Sequence, residues 1–242
     1  MLRNSLVAIS MGTLLSGCLT GSDGSTATTT TPAPTTFPVA SARATLIANG
    51  WSKTFVASIT GTLTCSGTGT VTVSPASTST TFAMTPTNSV SALSATQSVT
   101  ENWTNCTPAT QALSSTNYYN PSSYIDLGDS LTGVNYNVFQ TAPSYPATVK
   151  VGDTGIIGTE NLYTNSTETA SNGQQQVSYT VAADTTTTAI VTIIYNITGS
   201  SNNGSEQDKW RISTSGTLTP ISVVFSYTSG AYTGQTQTWT YN

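Results

Sequence analysis

Apolar and polar residues alternate at every second position through most of this chain, and that period of two limits its fold more than any other feature. Phe55, Ala57, Ile59, Gly61 and Leu63 lie on one side of such a pattern, and the segments 177–181, 189–197 and 221–227 repeat it. A two-residue period is typical of a β-strand with one buried face. Since the opposite faces carry mostly Thr, Ser and Asn, each sheet should have one solvated side, as antiparallel sheets do.

Further strands are predicted between clusters of turn-forming residues. Gly, Pro, Asn and Asp separate the β-forming runs at the spacing expected for turns. The remaining predicted strands are 43–48, 68–74, 81–85, 96–104, 133–140, 155–164, 207–214 and 235–241. Ten or more strands without crossover helices predict an all-β antiparallel meander, which forms either a sandwich or an open or half barrel.

The composition excludes several classes of function. The chain has no histidine, which removes Ser-His-Asp and Cys-His catalytic sites and His-ligated zinc. A net charge of −4 without a basic cluster predicts no nucleic-acid partner. The 51 Thr and 33 Ser include no Gly-x-Ser-x-Gly or Ser-x-x-Lys motif. We therefore expect no catalytic residue, no bound metal and no cofactor, although catalysis by carboxylates alone stays open.

The first eighteen residues have the layout of an export signal. Arg3 supplies a positive charge near the start, and residues 6–15 form an apolar stretch. That stretch is too short to span a bilayer but has the length of the apolar core of a signal peptide. It runs into the tetrapeptide Leu-Ser-Gly-Cys at 15–18, which resembles the lipobox of bacterial lipoproteins.

The lipobox resemblance implies localisation to the cell envelope. It implies removal of residues 1–17 and acylation, such as palmitoylation, of Cys18. Because Leu19 and not Asp follows the cysteine, it also implies sorting to the outer membrane. Two or three acyl chains on one residue meet the requirement for stable membrane attachment. The sequence leaves open whether the body faces the periplasm or the cell surface.

Residues 18–39 are predicted to be a linker, and residues 40–242 the β body. The linker is dominated by Thr, Ser, Gly and Pro, so it cannot bury enough apolar surface to offset its ordering entropy. A glycosylated stalk would have the same composition. Within the body, residues 111–132 interrupt the alternation and mark the place where it would divide into two domains.

The two other cysteines, Cys65 and Cys106, are predicted to form a disulfide. Lipidation of Cys18 leaves these two thiols in a compartment that oxidises them. Each ends a predicted strand, and neighbouring strand ends can reach the Cα separation that a disulfide requires. No Cys-x-x-Cys motif is present, which favours a structural bond over a redox-active pair.

Asp126 and Asp129 are the first acidic residues to consider as a site. They lie three apart in the segment 111–132, which we expect to be a long loop. Paired carboxylates can hold Ca²⁺ or act as acid and base in glycoside cleavage. The segment lacks the dense Asp, Asn and Gly spacing of calcium loops. We therefore interpret both, and Asp153 likewise, as turn residues that bond to nearby backbone N–H groups.

The acidic residues within predicted strands have a simpler interpretation. Glu160 lies in the strand 155–164, and Glu206 and Asp208 lie close to Lys209 and Arg211. Charged residues often form cross-strand pairs on the solvated face of a sheet. We expect these side chains to be on the outer surface.

Three tyrosines are the candidate ligand contacts. Tyr118, Tyr119 and Tyr124 cluster in the expected loop together with asparagines. Exposed aromatic rings beside amides suit carbohydrate or protein contact. The alternative is that these rings cap an open end of the sheet core.

Three functions remain open. The favoured one is a non-catalytic binding or structural domain of an outer-membrane lipoprotein, whose partner is an unidentified protein, glycan or lipid. The second is a carrier of an apolar ligand, which needs a cavity of at least about 300 Å³. The third is a carboxylate-dependent hydrolase of envelope polysaccharide, which needs two carboxyl groups facing across a cleft.

Overall fold

The computed structural model describes residues 35–131 and 134–242, and in this part of the chain thirteen β-strands form a single antiparallel sheet. In chain order the elements are α1 (Val39–Asn49), β1 (Trp51–Thr60), β2 (Cys65–Val73), β3 (Thr78–Thr85), β4 (Asn88–Thr104), β5 (Thr110–Tyr119), β6 (Asp126–Leu131), β7 (Asn135–Phe139), β8 (Thr154–Tyr163), β9 (Ser171–Ala183), β10 (Thr188–Thr198), β11 (Gly204–Ser213), β12 (Leu218–Tyr227), a 3₁₀ turn (Gly230–Tyr232) and β13 (Thr236–Tyr241).

Twelve of these strands close into a barrel. From β4 round to β13, strands that follow one another in sequence are also hydrogen-bonded neighbours. The last strand, β13, pairs with β1, which pairs with β2 on its other side. Because β2 also pairs with β4, the sheet meets itself. The predicted all-β antiparallel meander is confirmed, and it closes completely.

Among the described strands, β3 lies outside the barrel wall. Val73 at the end of β2 is opposite Gln97 in β4, whereas Thr78 at the start of β3 is opposite Ser94. Both strands therefore lie along the same edge of β4. Pro75 lies in the break between them, where its missing N–H removes a ladder bond. The hairpin formed by β3 and the first part of β4 extends beyond the part of β4 that pairs with β2 and β5.

That hairpin covers the outer face of β6 and β7. The ring of Phe82 lies 4.6 Å from that of Tyr118 and 5.1 Å from that of Tyr136, centroid to centroid. The Tyr136 hydroxyl donates to the carbonyl of Ala83 and accepts from its N–H. All five residues of β7 are consequently buried, with alternate side chains facing the hairpin and the barrel interior.

The helix α1 lies across one end of the barrel. Val39 and Ala42 near its start pack against β9, β10 and β11, and Ile47 near its end packs against β1 and β2. Its remaining face, which carries Ser41 and Thr45, is exposed. The helix therefore covers this end of the barrel. No helix in the described ranges is both long and apolar enough to cross a membrane.

The predicted strand over 43–48 is wrong, because α1 occupies these residues. The segment is rich in Ala, Leu and Arg, which favour helices. Its buried residues Val39, Ala42 and Ile47 share one face, but Arg43 lies on that face too and alanines lie on the others, so the helical period is weak in the sequence. The helix ends at Gly50, whose φ of 66° is readily available to glycine, and its N–H donates to the carbonyl of Leu46.

Two boundaries differ from the sequence-based expectation. Phe37, placed in the linker, is only 1% exposed and forms a β-bridge with Val149, so the folded body includes it. The segment 111–132 is no long loop, because it holds most of β5 and β6, and the described sheet continues through it. The sheet therefore shows no division at this point.

Candidate functional site

The alternation seen in the sequence separates an outer face rich in hydroxyl groups from an interior that holds most of the large side chains. In β1, Phe55 and Ala57 point inward and are buried, while Thr54 and Val56 between them are exposed. The same arrangement recurs around the wall, so side chains from many strands meet inside. The interior has an aromatic region and an acidic region.

The aromatic region is built on stacked rings. Phe55 stacks on Trp239 with centroids 4.7 Å apart, and Trp51 meets Trp210 edge-on at 5.3 Å. Gly69 in β2 leaves room for this packing, since a Cβ there would come within 2.2 Å of the Phe55 ring. These contacts fill the interior near β1, β2 and β13.

Glu101 is buried among these rings and is only 1% exposed. Its Oε1 atom accepts hydrogen bonds from Gln237 Nε2 at 2.7 Å and Trp239 Nε1 at 2.9 Å. Burial raises the pKa of the Glu101 carboxyl, and hydrogen bonds from Trp239, Trp103 and Gln237 oppose that rise. The group is a carboxyl that the barrel wall holds away from water.

Arg43 links α1 to the interior. Its guanidinium group donates to both carboxylate oxygens of Asp126 and to the carbonyl of Tyr124 at 3.3 Å. It also lies 4.1 Å from the centroid of the Tyr145 ring, and the Tyr145 hydroxyl donates to Asp126. Burial lowers the pKa of Arg43, but the Asp126 carboxylate together with the nearby tyrosines outweighs it, so the net pKa is above its ordinary value. Arg43 therefore stays charged.

An acidic cavity of about 100 Å³ lies beside this ion pair. Asn137 Nδ2 donates to Asp129 Oδ1 at 2.8 Å, and Gln175 Nε2 donates to Glu160 Oε2 at 2.7 Å. Four carboxylates and a single basic side chain line this cavity, together with amides and rings. The lining residues are Arg43, Asn117, Asp126, Gly128, Asp129, Asn135, Asn137, Phe139, Tyr145, Glu160, Gln175, Tyr195 and Glu206.

A second cavity of about 210 Å³ adjoins the first beneath α1. Apolar and aromatic side chains form much of its wall, including Val71, Ile193 and Trp210. Both cavities share Tyr145 and Tyr195, among other residues. Burial raises the pKa of both tyrosine hydroxyls, so at neutral pH they are uncharged and able to donate. The boundary between the cavities is thus a place where rings and carboxylates meet.

The structure corrects the interpretation of the acidic residues. Asp126 and Asp129 are not turn residues, because both belong to β6 and line the acidic cavity. Glu160 and Glu206 are not on a solvated face, because both are buried and line the same cavity. Of the residues assigned to turns, Asp153 does bond locally, accepting from the N–H of Lys150.

Asp208 also differs from the prediction, since it lines the larger cavity instead of the outer surface. Glu160, Glu206 and Asp208 were predicted to form charge pairs on the outer surface, and all three line a cavity instead. The reason is that this barrel encloses cavities lined partly by polar groups, so acidic residues can face inward as well as outward.

The three candidate tyrosines do not share one exposed loop. Tyr118 and Tyr119 are in β5, and Tyr124 is in the tight turn that follows. Tyr118 lies against Phe82 on the outside, whereas Tyr119 is buried and lines the larger cavity. Tyr124 packs against the aromatic region and supplies its carbonyl to Arg43.

The predicted disulfide is confirmed. Cys65 at the start of β2 is bonded to Cys106, which follows β4, and their Cα atoms are 5.8 Å apart. Cys18 lies outside the described residues. Within the described ranges no group of three or more acidic or cysteine side chains is placed to hold a metal ion.

Sequence reasoning missed Arg43, Tyr145 and Asn137, which with the carboxylates form the polar part of the interior. Comparison with known proteins adds no assignment: no family model, curated protein or solved structure matches the chain. The functional inference therefore depends on the geometry of the barrel interior.

Proposed function

We propose that the protein is a lipid-anchored, non-catalytic binding protein of the bacterial outer membrane, which holds a small polar ligand inside its barrel. The main support is the pair of adjoining cavities, whose lining comes from α1 and from strands all round the wall. Binding sites for small molecules are typically concave, with a few polar groups among apolar and aromatic walls. The interior has this composition.

The polarity of the cavities and the size of the acidic one disfavour the two alternatives. The two volumes together reach the roughly 300 Å³ that an apolar carrier needs, but carboxylates line both cavities. A polysaccharide hydrolase needs room for a sugar chain between two carboxyl groups. The acidic cavity, where four carboxyl groups lie, has a volume of about 100 Å³, well below the roughly 300–1,000 Å³ of typical ligand pockets.

The anchor in this proposal comes from the lipobox resemblance at Cys18. Phe37 lies at the same end of the barrel as α1. The Thr-rich composition of residues 19–36 is typical of a linker, which would let the barrel stand away from the lipid surface. A ligand could then reach the barrel while the protein stays on the membrane.

Small-molecule binding can be tested on the mature protein in detergent micelles. Four classes of compound are compared, namely cations, anions, neutral polyols and apolar molecules, each with about 5–12 non-hydrogen atoms. A compound that binds the folded state alone raises the unfolding midpoint, which intrinsic tryptophan fluorescence follows. We expect at least one polar class to raise it.

A cavity-filling variant locates the binding. Ile193 lines the larger cavity and is only partly buried, so Ile193→Trp should fill the space and abolish binding. Val56→Trp introduces the same side chain on the exposed face of β1 and should leave binding intact. Binding that survives in a folded Ile193→Trp protein, or no binding by any class, would contradict the proposal.

A further inference from the structure

We infer that the ligand of the barrel interior is an organic cation: an amine or guanidine with several N–H donors, attached to a short apolar or aromatic part. This inference rests on the proposed function, because it names the class of ligand for the same two cavities. Four observations support it: the charge of the lining, an unpaired acceptor, the way in which the barrel already holds Arg43, and the shapes of the cavities.

The lining of the acidic cavity carries an excess of negative charge. Asp126, Asp129, Glu160 and Glu206 line it, and Arg43 is its one basic residue. The amides that bond to Asp129 and Glu160 satisfy oxygen atoms without neutralising charge. A carboxylate away from bulk water is costly unless a positive charge is near. A cationic ligand lowers that cost, whereas an anionic ligand raises it.

A second observation comes from Asn137. Its side chain is on the inward face of β7, lines the acidic cavity and is only 6% exposed. Its Nδ2 atom donates to Asp129, but its Oδ1 atom has no hydrogen-bond partner in the part of the chain that the structure describes. Buried acceptors are almost always paired. A ligand that donates an N–H to this oxygen would complete the site.

Arg43 shows how this interior holds a cation. The guanidinium group is paired with both oxygens of Asp126 while it stacks on the ring of Tyr145. A cation gains from a ring face as well as from a carboxylate. Tyr195 lines both cavities, as does Glu206, so a second cation finds the same two kinds of group.

The two volumes fit the two parts of such a ligand. The acidic cavity, with a volume of about 100 Å³, has room for an ammonium or guanidinium group. The adjoining cavity, with a volume of about 210 Å³, is the larger of the two, and Val71, Trp210 and Phe225 are among its apolar walls, so it suits the apolar or aromatic part. The charged end would therefore lie toward β6, β7 and β8, and the apolar end beneath α1.

Three matched probes test this directly. Phenethylamine, 2-phenylethanol and phenylacetate share a ring and a short chain. At neutral pH the first carries a positive charge and three N–H donors, the second no charge and one O–H donor, and the third a negative charge and no donor. Calorimetric titration into the mature protein at pH 7 should show the amine binding at least tenfold more tightly than the alcohol, with no binding of the acid. This comparison uses the unaltered protein and needs no variant to fold.

Charge-removing variants test the location. Glu160→Gln and Asp129→Asn should each weaken phenethylamine binding by about tenfold and leave 2-phenylethanol binding unchanged. Asp184→Asn makes the same change in the exposed turn between β9 and β10, where Asp184 pairs with Arg211, and should change neither. If Asp184→Asn weakens amine binding as much as Glu160→Gln does, a general field effect replaces the proposed site.

The outcomes separate this inference from the proposed function. If the alcohol or the acid binds as tightly as the amine, the cationic class is wrong, while binding inside the barrel stands. The same holds if a polyol or another class raises the unfolding midpoint and the amine does not. If no compound of any class binds, both fail.

Discussion

At the scale of single residues, Glu101 has the most unusual surroundings, a carboxyl group enclosed by tryptophan and glutamine side chains. Burial raises its pKa above the ordinary value of 4.5, so the folded state binds the proton more tightly than the unfolded chain does. As pH rises through 4.5, Glu101 loses its proton in the unfolded chain while it keeps that proton in the folded protein. The free energy of unfolding therefore falls between pH 4.5 and the pKa of Glu101 in the folded state.

The variant Glu101→Gln should remove this pH dependence. Gln237 and Trp239 both donate to one oxygen of Glu101, and a glutamine at this position keeps such an oxygen. The variant should match the wild type in stability at pH 4 and exceed it at pH 7, as measured by urea unfolding at both values. An equal difference at both pH values would contradict the buried-charge explanation.

As a control, Glu101→Leu removes the acceptor as well as the charge. The donors on Gln237 and Trp239 would then be buried without a partner, at a cost of about 1–3 kcal/mol each. This loss should appear at pH 4 as well as at pH 7. The contrast between the two variants separates the hydrogen bonds from the charge.

The second prediction at this scale concerns Arg43. Arg43→Met should lower the free energy of unfolding by about 2 kcal/mol, because Asp126 would lose its counter-ion. The side chains of Arg43 and Asp126 are 21% and 19% exposed, so the loss of stability should lie between the losses typical of surface ion pairs and of buried ion pairs. Urea unfolding of Arg43→Met, Asp126→Asn and the double variant gives the coupling energy, and strictly additive losses would show that the pair does not contribute.

Which side of a strand a residue lies on can be read from the buried residues two positions away, and this carries information about the interior. Glu101 is in phase with Val99 and Trp103, which are buried, so its position alone predicts an inward-facing acid. Its surroundings could not be predicted, because Gln237 and Trp239 come from the far end of the chain. The same is true of Asp126, whose partner Arg43 lies on another element more than eighty residues away.

At the scale of elements, most strands were predictable and the helix was not. Strands with a regular two-residue period, such as β10, match their predicted segments, because one face of each is buried by the barrel itself. The alternation that begins at Phe55 continues to Leu63, but β1 ends at Thr60, and Cys65 begins β2 instead of ending a strand. The short helix α1 buries Val39, Ala42 and Ile47 on one face, but that face also carries Arg43 toward the interior, and alanines lie on the other faces. Its periodicity is therefore weak, and tertiary contacts determine its position.

The disulfide gives the prediction at this scale. It joins the start of β2 to the segment between β4 and β5 and closes a loop of 41 residues. The chain-entropy model gives about 4 kcal/mol for such a loop. Replacing Cys65 and Cys106 together with serine should lower the free energy of unfolding by up to that amount, measured by chemical unfolding of the oxidised protein.

The reduced wild-type protein provides the matched control for that measurement. Reduction opens the same loop without changing the sequence, so it should lower the stability by a similar amount. A double-serine variant as stable as the oxidised wild type would show that the bond does not constrain the unfolded chain.

At the scale of the whole molecule, barrel closure explains why the interior could not be predicted from local pattern. The pairs β1–β13 and β2–β4 join segments that are not neighbours in sequence, and no local signal indicates them. A barrel of eight strands is just wide enough for its side chains to fill it, so twelve strands enclose a wider space. The aromatic region occupies part of that space, α1 covers one end of it, and the two cavities lie within it.

The prediction for the whole molecule concerns its attachment to the membrane. If Cys18 is acylated, the protein should partition into the detergent phase and fractionate with the outer membrane. Cys18→Ser should release or mislocalise it. Replacing Cys65 and Cys106 with serine should leave the partition unchanged, because those residues form the disulfide inside the folded body.

A substitution at residue 19 tests the sorting of the protein between membranes separately from its lipid anchor. In the lipoproteins that the first eighteen residues resemble, Asp at this position holds the protein at the inner membrane, and here the residue is Leu19. Leu19→Asp should therefore move the protein to the inner membrane while it stays in the detergent phase, since the acyl chains that give membrane affinity are unchanged. Density-gradient fractionation of both membranes measures the change. A wild-type protein found soluble, with an unmodified amino terminus beyond residue 18, would contradict the anchor and leave the barrel as a free binding protein.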